Sequence, residues 1–394
     1  MFIFLLSITA NSKRQGVDIQ SGAFFRQARR SGLWPEAEAV HRSAVTKARA
    51  KLSWTAFAQV HQEAVQLAYA LWPHTDADTW QGLSVFAIDG SKYRLPASPE
   101  LRQAFDPDSG LDHPGQGHYP QCLVSTVHDV FRRLPIARSV RPIADANERE
   151  ELKALLPQIP AGGVLLLDRG YPSYDLIAYL NRHYAGYWLF RCPARSTFPA
   201  VEAFVRSGRD QAMITLPFSK TQSVTLRALR LQSPDGTLSV LLTNLVGDPQ
   251  FSREALIALY FRRWEVEIQY RDEKTSLEIE TFHSHTENGV RQELFAIVIM
   301  SVIARVLMRL TTDPHHPSHA EPQFKNAMIT LANEATVLTP QHPERALAIF
   351  QELLQEIARV LYYPPKTPRP PQPRISKQPT NKWQINRKKR KADA

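Results

Sequence analysis

The 394-residue chain reads as an α/β protein, with a helical region before its sheet and a strand-rich stretch late in it. Three features predict this class. Apolar runs at Leu83–Ile88 and Val164–Leu167 alternate with helical patterns, and the unbroken second run suggests a strand buried on both faces. Residues 21–71 carry a basic helical pattern. Residues 193–252 hold recurring strand-like segments joined by turns, the mark of antiparallel pairing.

In chain order, the apolar run Met1–Ala10 lacks a positive leader and is too short to cross a bilayer, so a buried or frayed end is expected. No other run looks long enough for a membrane span. Ser43–Ser53 predicts a short helix that offers Lys47, Arg49 and Lys51 to a partner. A second helix from Trp54 ends near Trp72-Pro73. A small helical DNA-binding unit and a plain helical subdomain both fit this region. Leu83–Ile88 is a strand expected to stop at Asp89-Gly90-Ser91. Residues 99–120 read as a loop. Gln121–Asp129 and Leu134–Val140 make two strands around a turn, and Asn147–Leu156 is a Glu-rich helix. The strand Val164–Leu167 runs into Asp168-Arg169-Gly170-Tyr171. A helix over Tyr174–His183 and a strand over Tyr187–Cys192 follow. Strands are then expected at Ala212–Leu216, Ser223–Leu231 and Leu238–Leu245, with no helical pattern among them. Beyond residue 277, helices are expected at Arg291–Leu310 and Arg345–Leu361. The histidines of Asp313–His319 sit among prolines without acidic neighbours and read as a solvated loop. The Pro-rich and then Lys/Arg-rich end from Pro364 reads as extended chain.

The net charge of +10 is unevenly placed. Residues 364–394 carry ten Lys/Arg against Asp393 alone, and residues 12–53 carry nine against three acids, so the middle is net acidic. Basic ends around an acidic middle suit a polyanion held at several places, although basic tails also serve solubility. Cys122 and Cys192 form neither a disulfide framework nor a metal-like spacing, which fits a reducing cytoplasm.

The stretch from Ala258 to Leu277 has no Pro or Gly and predicts one helix. At about 100° per residue, Arg262, Glu265, Gln269, Asp272 and Glu273 form a solvent face. Leu259, Val266, Tyr270 and Leu277 make one apolar flank, and Ile257, Phe261, Trp264 and Ile268 the other. Between the flanks lies a stripe of Tyr260, Arg263, Glu267 and Lys274. Charges set between packed rows are costly unless paired or engaged with a ligand. An internal Arg263–Glu267 ion pair is one reading, and a functional site is the other. The two strand-end aspartates shift the balance to the second. Asp89, Asp168 and Glu267 would make an oxygen-only set suited to Mg²⁺, with Mn²⁺ as substitute, and two such ions about 3.5–4 Å apart serve phosphoryl transfer.

The spacing Tyr260-x2-Arg263-x3-Glu267-x6-Lys274, with Asp89-Gly90-Ser91 and Asp168-Arg169-Gly170-Tyr171 ahead of it in order, resembles the YREK signature and paired Asp motifs of bacterial DDE transposases of the insertion-sequence-four family. Leu242–Leu245 and Thr46–Leu52 resemble further parts of that pattern. The resemblance spans roughly residues 20–310. It implies an RNase H-like core, a mixed β-sheet with flanking helices, interrupted by an antiparallel β insertion and preceded by a helical N-terminal domain. The corresponding division is 1–78, 79–192, 193–252, 253–335 and 336–394. It implies two Mg²⁺ on Asp89, Asp168 and Glu267, and DNA contacts from Tyr260, Arg263, Lys274, Arg169 and Arg191, joined by the basic Lys47, Arg49 and Lys51. The partners would be the element's terminal inverted repeats and target DNA, engaged by a homodimer with no membrane role, in a bacterial cytoplasm on the nucleoid. The reaction would be hydrolysis at the ends followed by 3′-OH strand transfer. Another RNase H-like nuclease would share the acids without the Tyr/Arg/Lys spacing, and an inactive DNA-binding relative remains the alternative of a different class. Trp264 reads as a packing residue.

Overall fold

The computed structural model describes residues 1–363 apart from 11–14, 33, 73–74, 110–117, 196–197, 219–221, 234–235, 247–249, 313–319 and 339–342. The His-containing loop, the turn at Pro234-Asp235 and the tail from Pro364 therefore lie outside the described residues. In chain order the elements are α1 (Phe2–Ala10), α2 (Val17–Arg30), α3 (Arg42–Ala50), α4 (Trp54–Leu71), β1 (Val85–Arg94), α5 (Pro99–Phe105), β2 (Gln121–Asp129), β3 (Leu134–Pro142), α6 (Glu148–Leu155), β4 (Val164–Leu167), α7 (Tyr174–His183), β5 (Tyr187–Pro193), α8 (Pro199–Arg206), β6 (Gln211–Pro217), β7 (Ser223–Gln232), β8 (Leu238–Thr243), α9 (Arg253–Phe261), α10 (Trp264–Arg271), α11 (Glu287–Thr311), α12 (Phe324–Asn333) and α13 (Pro343–Arg359).

The α/β expectation holds as one mixed, eight-stranded sheet in the order β3-β2-β1-β4-β5-β8-β7-β6. β1 pairs parallel to β4, and β4 parallel to β5, while β2 and β3 run antiparallel beside β1. The strands of 193–252 continue the same sheet, with β8 antiparallel to β5 and β6–β8 a meander. A helix precedes them: Pro199 at the first position of α8 presets its φ, and Val201 and Phe204 are buried.

The sheet divides the apolar residues into two cores. On one side Leu152 and Leu155 of α6, Leu176 and Leu180 of α7, and Val201 of α8 pack against Phe86, Ile88, Leu165 and Leu167. On the other, Val266 and Tyr270 of α10 and the length of α11 meet Val85, Ala87, Val164 and Leu166. α11 is 25 residues long and long and apolar enough to cross a membrane by length and composition, which corrects the expectation that no such run exists. It is mostly buried, with α1, α4, α12 and α13 against it. Its apolar girth is that of a central core helix. α1 is the buried end expected of Met1–Ala10. α12 carried no sequence expectation.

Three expectations near the strand ends are corrected. β1 does not stop at Asp89 but continues to Arg94, because β2 accompanies it with Asp89 opposite Thr126 and Ser91 opposite Val124. Residues 99–120 are not all loop: Ser98 caps α5, accepting from the Leu101 N–H, with Pro99 in the first turn. The single helix over 258–277 is overwound and then underwound. Arg262, Arg263, Glu265 and Val266 each donate to the carbonyl three residues back, and Asp272–Ser276 forms a π turn. Both departures shift the register of faces that a uniform 100° step assumes. Gln269 and Glu273, expected in solvent, are buried, whereas Phe261 and Trp264 are about half exposed. The Leu259, Val266, Tyr270 and Leu277 flank is buried as expected.

Candidate active site

The two aspartates reach one another through strand register. β1 and β4 pair up to Ala87 opposite Leu166. Two residues further along each strand come Asp89 and Asp168. Side chains alternate along a strand, so both carboxylates share the side of Ala87 and Leu166, the side on which α10 and α11 lie. Each is steadied by a following glycine: Gly90 N donates to Asp89 Oδ1 at 3.0 Å and Gly170 N to Asp168 Oδ1 at 2.7 Å. Burial pushes the Asp89 carboxyl up to about 7; Arg263 opposes that shift, and the charges of Asp168 and Glu148 add to it.

Glu267 enters from α10. Tyr270, on the same helix, fixes the helix to the sheet by donating to the Asp89 carbonyl at 2.6 Å and to the Val124 carbonyl at 3.0 Å. Arg263 sits between the acids, with Nη2 2.6 Å from Glu267 Oε1 and Nη1 3.9 Å from Asp89 Oδ2. The internal Arg263–Glu267 pair, set aside in favour of a site, is thus present within that site. Nη1 is buried without a hydrogen-bond partner among the described residues. Tyr260 is buried at the end of α9, where burial raises its phenol pKa and the Arg263 and Arg191 charges oppose the rise. Lys274, in the π turn, donates to Ser91 Oγ at 2.7 Å and to the Lys92 carbonyl at 2.6 Å, and lies 4.4 Å from the Tyr93 ring centre. Burial lowers its pKa.

The remaining expected contacts separate. Arg169 is exposed in the turn after β4. Arg191, on β5, donates to Ser239 Oγ at 3.1 Å and Ser233 Oγ at 3.2 Å. Lys47 and Lys51 are exposed. Arg49 is not: it is buried, 2.9 Å from Glu293 on α11, and donates to Gln292 Oε1 and the Gly289 carbonyl. Its place on α3 opposite the lysines turns it into a structural tie, which corrects its reading as a DNA contact.

The carboxylates offer only oxygen, the donor chemistry of Mg²⁺ and Mn²⁺. As they stand, Glu267 is engaged with Arg263, and among the described residues no three acid, histidine or cysteine groups close tightly enough to hold an ion. The expected triad is therefore present in composition and placement but not drawn together. Sequence reasoning missed two groups. Glu148, at the start of α6, stands beside Gly90 and Gly170; its signal was faint because it looked like one more acid in a Glu-rich first turn. Glu273 lies fully buried beneath the site, 2.6 Å from Arg138 and accepting from Tyr93 and Gln269.

Asp89 within β1 and Asp168 just past β4, on the face where a glutamate-bearing helix packs, are the arrangement of a DDE-type protein, and comparison with known proteins gives the same class. The model of the Transposase DDE domain family matches residues 80–303, more than half of the chain, and the chain belongs to that family. It is similar to InsG, the transposase for insertion sequence element IS4 of Escherichia coli K12, with 26% identity over 279 residues, 68% of this chain and 61% of InsG. It is also similar to y4zB of Sinorhizobium fredii NGR234, a provisionally named transposase, with 29% identity over 189 residues, 43% of this chain and 49% of that one. The chain thus spans less than two thirds of the length of these relatives. A cryo-EM structure of a piggyBac transposase synaptic complex with hairpin DNA matches 93% of this chain and 76% of that one at 11% identity and a TM-score of 0.43, too loose a likeness to carry an argument. Divalent-metal dependence is general in the DDE family.

Proposed function

We propose that this chain is an insertion-sequence transposase that cuts at the ends of its element and joins the freed 3′-OH to target DNA. The observation that carries the reading is the register that sets Asp89 beside Asp168 on the face where α10 presents Glu267. In this reading β1–β5 with their flanking helices form an RNase H-like core, residues 193–252 are an insertion at its edge, and residues 1–78 form the DNA-binding part. The strand order β3-β2-β1-β4-β5 supports it.

Asp89, Asp168 and Glu267 would hold two Mg²⁺, whose chemistry when bound would be activation of the attacking oxygen and stabilisation of the leaving one. The protein's own groups do the rest. Arg263 has a buried Nη1 without a hydrogen bond among the described residues, 3.9 Å from Asp89 Oδ2, and a DNA phosphate would supply the acceptor it lacks. As Arg263 turns to that phosphate, the Glu267 carboxylate is released. Lys274 neutralises the next phosphate from a position fixed by Ser91. Tyr260, close enough to Arg263 and Arg191 to feel their charges, would contact the same DNA, and Arg169, Arg191, Lys47 and Lys51 would extend the basic track. A homodimer would hold the two ends, working in the cytoplasm on nucleoid DNA.

The test is incubation of the purified chain with DNA carrying the element's own terminal repeats, with and without Mg²⁺. Mg²⁺-dependent cleavage that vanishes in Asp168→Asn is the expected result. Cleavage unaffected by that substitution sinks the assignment. End binding without any cleavage selects the inactive DNA-binding alternative.

A further inference from the structure

From Asp89 onwards β1 serves as a rail for the helical segment that carries Glu267. Along it, Asp89 and Lys92 offer carbonyls, Ser91 a hydroxyl and Tyr93 a phenol, and each is bonded to a residue between Tyr270 and Lys274. α10 needs such a rail. It is eight residues long, begins in the tight turn over Arg262–Val266 and runs out into the π turn Asp272–Ser276. Tight and π turns within a helix mark places where it bends or hinges. α10 is therefore placed by its own contacts rather than by the segments on either side.

Of these ties, the Tyr270 phenol is the one that reaches a residue bearing a candidate acid. It lies one turn beyond Glu267, and its oxygen is 2.6 Å from the Asp89 carbonyl and 3.0 Å from the Val124 carbonyl of β2. A phenol has one O–H, so a single donor is shared between two adjacent strands. The side chain is buried, and its ring meets the Tyr93 ring edge to face with centres 6.2 Å apart. The phenol is itself oriented. Thr126, opposite Asp89 in the strand register, hydrogen-bonds it. Arg138 in turn holds the Thr126 hydroxyl at 3.1 Å and is paired with Glu273 at 2.6 Å. A chain of hydrogen bonds thus runs from the fully buried Arg138–Glu273 pair through Thr126 and Tyr270 to the backbone of Asp89. Phenylalanine would fill the same ring volume, so what the hydroxyl adds is this directed bond.

We infer that Tyr270 is a positioning residue for the cleavage step: its hydroxyl sets Glu267 against Asp89 by fixing α10 to the Asp89 peptide. It acts through those two acids rather than on the DNA. The inference rests on the transposase reading.

The test is Tyr270→Phe in the full chain, which removes one oxygen and keeps the ring. Its comparison is Ser301→Ala, which removes a buried hydroxyl that faces the same helix at Gln269, 3.4 Å away, and otherwise bonds the Ile297 carbonyl of its own helix. Cleavage of the element's end DNA is followed from limiting to saturating DNA, alongside thermal unfolding and hydrogen exchange of the α10 amides. Tyr270→Phe is expected to lower kcat roughly 10–100-fold, the scale of losing a supporting contact or of an ångström of misplacement. KM should stay within about twofold, because DNA binding is untouched. The unfolding midpoint should fall by no more than about 4 °C, the scale of one hydrogen bond, while the α10 amides exchange faster and those of β4 do not. Ser301→Ala should lose similar stability and keep kcat within about twofold of wild type. A wild-type kcat in Tyr270→Phe, a loss confined to KM, or an equal loss of kcat in Ser301→Ala overturns the inference. Should Tyr270→Phe fail to fold, exchange in the wild-type chain decides: α10 amides as protected as those of β1 support the tie, and an α10 that opens while β1 stays closed overturns it. A wild-type chain that does not cleave its end DNA with Mg²⁺ overturns the transposase reading instead, and the exchange measurement still reports on the tie, which keeps the two failures distinct.

Discussion

Two Arg–Glu pairs, each closed at 2.6 Å, hang from the same helical segment only six residues apart. In the lower pair, Glu273 Oε1 accepts from Arg138 and Gln269, and Oε2 accepts from Tyr93. Arg138 also donates to Thr126 and to the Leu294 carbonyl. Neither side chain is exposed. In the upper pair, Arg263 leaves Nη1 without a hydrogen bond, and the Glu267 side chain is 26% exposed. A buried ion pair repays its desolvation only when the remaining donors and acceptors are met. The lower pair meets that condition and is scaffold. The upper one does not, and its unmet capacity is what a phosphate and a metal can use.

The sharpest way to break this contrast is to cut both pairs. Glu273→Ala leaves Arg138 charged and unpaired in the core, and should cost about 3–5 kcal/mol, seen as a large fall in denaturation midpoint or as failure to fold. Glu267→Ala removes a carboxylate that is 26% exposed and leaves Arg263 with Asp89 at 3.9 Å, so it should cost less, about 1–3 kcal/mol, while end cleavage is lost. Equal destabilisation by the two would erase the distinction. Acid tests the scaffold from another direction. His61, on α4, is held by the Pro135 carbonyl at 2.7 Å, and burial lowers its pKa from 6.5 to about 4. A group depressed on folding gives stability that is present above 6.5 and is lost as pH falls towards the folded value. His61 alone then removes roughly 3 kcal/mol of stability as the pH falls from 6.5 to about 4, and His128, lowered by burial to about 3, acts in the same window. Unfolding free energy should fall between pH 6.5 and 4, with a smaller fall in His61→Gln. An unchanged slope in that variant would show that His61 titrates freely in the fold.

At the site itself, Asp168→Asn should lower end cleavage by more than the roughly hundredfold that loss of an outer-shell partner costs a metal centre. Its thermal midpoint should stay near wild type, because Asp168 is only partly buried and sits at a strand end. A midpoint that falls with the activity would move Asp168 into the scaffold class.

The parts legible in the sequence are those with local causes. The runs of β4 and α7 carry their own periodicity and length, and their residues came out where expected. The parts that were not legible depend on distant partners. β1 overruns Asp89 only because β2 pairs with it to Arg94. Gln269 and Glu273 are buried only because Arg138, Tyr93 and Ser301 wait for them, and no pattern within 258–277 carries that information. Arg49 belongs to the same class: its neighbours in sequence are exposed lysines, but its partner Glu293 lies 244 residues away. Glu148 shows the opposite failure. Its position after β3 was correctly helical, yet nothing local marked it out among Glu148, Glu150 and Glu151.

Lys274 gives the finest division between scaffold and site, because it belongs partly to each. Two of its donors are spent on Ser91 and the Lys92 carbonyl, and burial already works against its charge. An ammonium has three donors, so one remains for a phosphate. If that contact forms, Lys274→Ala removes one released counterion, and the slope of log affinity against log salt for end DNA should become shallower by about 0.9. Ser91→Ala is the companion. It frees a donor and leaves the charge, so the slope should hold while affinity shifts only slightly. A Lys274→Ala slope equal to wild type would place Lys274 wholly with Arg138, as a tie between the π turn and β1 rather than a contact to DNA.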